Sequence, residues 1–129
     1  MPWPPQVGEL LPRCDEPVGI EQKLRTYSLA PDHAAGGGPK ANGFLIMLGI
    51  GLDSIDYLEC QIRAGIAATP ISAVRPGASG VMRCTVQFRI AGPGRYIDRT
   101  ASLRTGWELT ESMGRPRLIT AFLRGKEDR

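Results

Sequence analysis

The sequence predicts an α+β domain, with N-terminal helices packed on one face of a four-stranded antiparallel meander sheet. Three observations carry that prediction. Apolar residues recur at helical spacing up to about residue 69 and at every second position after Pro70. The two patterns do not interleave, and helices segregated from strands mark α+β architecture. Sixteen glycines and eleven prolines in 129 residues punctuate the chain so often that each element must be short.

The elements follow in order. Residues 1–19 hold Pro2, Pro4, Pro5, Pro12 and Pro17 and read as an irregular arm lying over the domain. From Ile20 a helical stripe of Ile20, Leu24 and Tyr27 begins, with Glu21 four residues before Arg25, and Pro31 stops it. A link from Asp32 to Gly38 contains three consecutive glycines. Pro39 suits a first helical position, and Phe44, Leu45 and Leu48 form an apolar face that Gly49 and Gly51 end. A third helix is capped by Asp53 or Ser54, and Ile55, Leu58, Ile62 and Ile66 make its buried side. The strands are Ile71 to Arg75, Met82 to Ile90, Thr100 to Leu109 and about Arg117 to Leu123. In the last one both alternating sets contain apolar residues, so its register is not assigned. The organisation is therefore an arm (1–19), a single domain (20–123) and a charged tail (124–129). A chain of this length buries about two-thirds of its surface, enough for a core without staples.

Charge divides unevenly. Five basic and eight acidic residues give −3 from Met1 to Thr69, and eleven basic and five acidic give +6 from Pro70 onward. Thirteen of the sixteen cations are arginine, whose planar fork suits phosphate. If the helices cover one sheet face, the other presents Arg83, Gln87, Arg89, Ser102 and Arg104, a basic surface rich in donors for a polyanion. An arginine-rich surface that serves only solubility is the alternative.

Other chemistries are weaker. Cys14, Cys60 and Cys84 are widely spaced, without a CxxC pair, and His33 is the only histidine, so neither a disulfide framework nor a metal site is expected. Cys60 and Cys84 read as core thiols. Gly36-Gly37-Gly38-Pro39-Lys40 is not a nucleotide phosphate loop, because Pro39 precedes the lysine and Ala41 follows it; no cofactor is expected. No signal-like or membrane-spanning run is present, which leads to the expectation of a cytoplasmic protein with no membrane role. Lys40 in a helix's first turn is opposed by the dipole and gains from a nearby anion. His33, in a loop, is the residue type whose unperturbed pKa lies nearest neutrality; it is read either as an acid/base or as a surface histidine.

The run Lys23-Leu24-Arg25-Thr26-Tyr27-Ser28-Leu29, then Pro31-Asp32-His33, Gly37 and Lys40-Ala41, resembles an uncharacterised bacterial domain family carrying KLxxYLLNPDHPxGxxKAxxF, RTxW and LVTAY. The later pieces here are Arg104-Thr105-Gly106-Trp107 and Leu118-Ile119-Thr120-Ala121-Phe122. Ala34 replaces the family's usual proline, and the glycine run is longer. That layout is similar to the barnase–EndoU–colicin–RelE-like ribonuclease toxins. The resemblance implies metal-independent RNA cleavage by 2′-hydroxyl attack, and an immunity or antitoxin protein as a partner. It makes His33 the general acid/base and Lys40 and Arg104 the phosphate clamp, with Thr120 and Thr105 orienting phosphate or ribose. Arg83, Arg89 and Ser102 would hold flanking substrate. By the alternation, however, Thr105 falls on the apolar side. A non-catalytic nucleic-acid or protein-binding module is the competing reading, and oligomeric state is left open.

Overall fold

A computed structural model describes residues 3–29, 43–44, 47–112 and 114–124, with Tyr27 and Ser28 described for their backbone alone. The chain is α+β, as expected. Its sheet is a meander of β1 (Ala73–Pro76), β2 (Met82–Ala91), β3 (Thr100–Leu109) and β4 (Arg117–Leu123), in that spatial order and antiparallel throughout.

The helical side departs from the expectation in detail. α1 (Ile20–Lys23) makes one α-turn and then widens into a π-helical turn, Leu24–Ser28, closed by the Leu29 amide on the Leu24 carbonyl at 2.9 Å. Thr26 Oγ1 donates to the Gln22 carbonyl at 2.7 Å, and such back-bonding favours departure from a regular α-ladder. Ile20, Leu24 and Leu29 are nevertheless buried. Of the second expected helix, Gly43, Phe44, Met47 and Leu48 are helical, with Phe44 and Leu48 in the core, and Gly49 beyond them has φ 68°. Its start at Pro39 lies outside the described residues.

α2 (Ile55–Ala68) buries Ile55, Leu58, Ile62 and Ile66, the stripe read from the sequence. Ser54 is its N-cap, but neither it nor Asp53 makes the expected capping bond; a 3₁₀ turn, Leu52–Ser54, leads into the helix instead. α2 crosses β2 closely at Gly65, where any Cβ would run into the Phe88 ring. α1 and the π-turn lie against β4.

The arm is stitched down at two places. Gly8 and Glu9 exchange backbone hydrogen bonds with Ile71 at 3.0 and 2.8 Å, and Val18 bridges the start of β4 in parallel. Leu11 thereby reaches the core. Among the described residues, no helix is long and apolar enough to cross a membrane.

Candidate functional site

The sheet's two faces are set by strict alternation. On β3, Ala101, Leu103, Thr105, Trp107 and Leu109 are buried, while the residues between them are partly or fully exposed. Directly opposed residues of antiparallel strands share a face, so the register maps the open side. Arg75 stands opposite Arg83, and Arg83 opposite Glu108. The next row is Ala73, Thr85, Gly106 and Thr120. Beyond it lie Gln87, Arg104 and Phe122, then Arg89 and Ser102. The expected set Arg83, Gln87, Arg89, Ser102 and Arg104 does share this face.

The last strand's ambiguity has a local cause. Trp107 pairs with Leu118 and Gly106 with Thr120, which leaves Ile119 as the extra residue of a β-bulge. Leu118 and Ala121 can then both point into the core, while Thr120 and Phe122 join the open face. No single alternation describes such a strand.

The row of small side chains between two rows of long ones makes a depression of about 460 Å³, lined among others by Arg75, Arg83, Arg104, Ile119, Thr120 and Phe122. Gly106 is its floor. A Cβ there would meet Thr120 Cγ2 at 2.7 Å, so only glycine leaves Thr120 where it sits.

The charges around the depression differ in their engagement. Arg83 faces Glu108 at 3.7 Å, with both side chains substantially exposed, a separation at which the pair is weak. Arg89 donates to Thr100 Oγ1 at 2.8 Å, and Arg124, just past β4, reaches Gln87 Oε1 at 3.3 Å. Arg75 and Arg104 have no ion pair or side-chain hydrogen bond among the described residues. Among the described residues, Arg75, Arg83, Arg89, Arg104 and Arg117 of the strands, with Arg124 just past β4, thus stand over this face, where the register places one carboxylate, Glu108.

Thr105 belongs to the other side. It is fully buried; its hydroxyl donates to the Val86 carbonyl at 2.6 Å and accepts from Trp107 Nε1 at 2.8 Å. With both capacities committed, it holds β2, β3 and the Trp107 ring together and has no access to a ligand on the open face. His33 and Lys40 lie outside the described residues, and so does their distance from Arg104. Arg75, Gly106 and Phe122 were not singled out from the sequence; a glycine inside the strand alternation was the one signal available for the depression.

The thiols are separated. Cys84 is buried, and burial pushes its thiol up to about 11, away from nucleophilic use. Cys60 is exposed, because it falls between Leu58 and Ile62 on the outer side of α2; the expectation of a core thiol there is corrected. No group of three or more His, Cys, Asp or Glu residues suited to a metal ion occurs among the described residues.

A family model described as a domain of unknown function, DUF6883, matches residues 10–125. Comparison with curated proteins and with solved structures gives no match.

Proposed function

The chain belongs to the DUF6883 family, and from that premise we propose that it grips a phosphodiester of RNA on the open face of its sheet and cleaves it without a metal ion. One observation carries the binding: Arg104 stands beside a depression floored by Gly106, with Arg75 and Arg83 across it and no anionic partner of its own among the described residues. A guanidinium held on a strand is a preorganised donor pair for phosphoryl oxygens. Arg83, Arg89 and Ser102 supply contacts to flanking phosphates along the same face.

The layout, helices followed by a four-stranded meander with a His–Lys pair upstream of Arg/Thr strands, is similar to that of the barnase–EndoU–colicin–RelE-like ribonucleases, and this supports the cleavage. In that chemistry the 2′-hydroxyl oxygen attacks the adjacent phosphorus and the bond to the 5′-oxygen breaks. A 2′,3′-cyclic phosphate and a 5′-hydroxyl result. His33 moves the proton, Lys40 and Arg104 stabilise the charge growing on the phosphoryl oxygens, and Thr120 orients the group. An immunity or antitoxin partner in the cytoplasm would have to present acid to this face.

Labelled RNA incubated with the protein and a chelator tests the reading. Cleavage is expected, stopped by a 2′-deoxy sugar at the scissile position and by His33→Ala or Lys40→Ala, and slowed about 100-fold by Arg104→Ala. Salt-sensitive binding that survives His33→Ala without any product would establish a non-catalytic binder instead. The spread of arginines from Arg75 to Arg89, well beyond one phosphate, is the observation favouring that second reading.

A further inference from the structure

The depression has an apolar side that phosphate binding does not use. Its floor is the Gly106 backbone, flanked by the small side chains of Ala73, Thr85 and Thr120. Phe122 stands directly across from Arg104 on the neighbouring strand, and Ile119, pushed out by the bulge, overhangs Gly106. Residues two apart on a strand are separated by about 6.7 Å, so the Arg75–Arg83 and Arg104–Phe122 rows stand about 13 Å apart across the trough. At about 460 Å³ the space falls within the range of small-ligand sites.

We propose that this trough is a nucleobase subsite: one unpaired base lies against Phe122, Ile119 and Gly106 while Arg104 holds its phosphate. The inference rests on the RNA reading above and narrows the substrate to single-stranded RNA. A base within an A-form helix is paired along one edge and stacked on both faces, so it does not enter a recess below a rim of arginines. An unpaired base is swung out and offers its flat face to an aromatic wall. Phe122 and Arg104 as cross-strand neighbours place stacking surface and cation at adjacent positions, the combination by which proteins track single strands. The glycine at 106 lets Thr120 lie low over the floor, so that its side chain borders the base and does not fill the trough.

Charge alone predicts the opposite preference, because a duplex carries the denser row of phosphates. Anisotropy with a labelled, uncleavable 2′-fluoro RNA therefore separates the two. The probes are the single strand, the same strand in a blunt duplex, and a strand in which base-free sugars replace alternate nucleotides. The intact strand is expected to bind about ten-fold tighter than either other probe. Phe122→Ala, checked for an unchanged unfolding midpoint, is expected to bind the intact strand no better than the base-free one. Duplex and base-free strand binding as tightly as the intact strand would overturn the subsite and leave RNA binding standing. If none of the probes binds, or if Arg104→Glu changes nothing, the RNA reading itself fails and the subsite fails with it.

Discussion

Arg104 and Thr105 are neighbours on one strand, yet they belong to opposite worlds. On the core face the buried Thr105 hydroxyl is answered from within: it meets the Val86 carbonyl and the Trp107 indole in one buried network. On the open face the Arg104 guanidinium has no ion-pair or side-chain hydrogen-bond partner among the described residues, and it borders a trough of small side chains. Burial makes an unanswered dipole costly, so the core must be complete in itself. Water relaxes that demand at the surface, and charge left there is available to a ligand. The two faces thus divide stability from binding, one residue at a time.

High pH should break the core face first. The Cys84 thiol is neutral in both folded and unfolded chains below about pH 9, so it adds no pH dependence there. Above that the unfolded thiol ionises first, while the folded one resists until about 11. Stability should therefore fall by about 3 kcal/mol in all, about 2 kcal/mol of it between pH 9 and 11, from this group alone. Denaturant midpoints at pH 8 and 10.5 check it: Cys84→Ala should show a correspondingly smaller decline, and an equal decline would deny the thiol any part. Next in size, Thr105→Val keeps the shape but strands the Trp107 N–H and removes a donor from Val86. It should cost about 2 kcal/mol with RNA binding unchanged, as judged by folding titrations and anisotropy together.

Most of this division was legible in the alternation of the middle strands. Arg83, Arg89, Ser102 and Arg104 could be assigned a face because every second residue from Cys84 to Ile90 and from Ala101 to Leu109 is one that packs. Thr105 showed its side in the same way, against the role that family resemblance implied for it. The site's shape was not legible. Thr120 and Phe122 join the open face only through the bulge at Ile119, and a bulge depends on pairing between strands, not on either strand's own pattern. Arg75 belongs to the site because β1 pairs with β2, again a long-range fact. The π-turn after Lys23 escaped for a related reason. One side-chain bond from Thr26 competes with the helix ladder at a position where periodicity alone sees an ordinary turn.

The smallest expected effect on stability sharpens the comparison most. Arg83 and Glu108 face each other across β2 and β3 at 3.7 Å, open to solvent, and such a pair contributes little to folding. Glu108→Gln should move stability by less than about 0.5 kcal/mol, far below the cost of Thr105→Val three residues away. Its effect should appear in binding. Removing this carboxylate ends its competition with phosphate for Arg83, so RNA should bind a few-fold tighter. The logarithmic salt dependence should steepen by about one ion. Arg83→Ala should do the reverse, with stability again nearly unmoved. If Glu108→Gln weakened binding instead, the carboxylate would be holding Arg83 in place for the ligand. The open face would then be preorganised by its own internal contacts, as the core is, and not a field of charge that the ligand itself arranges.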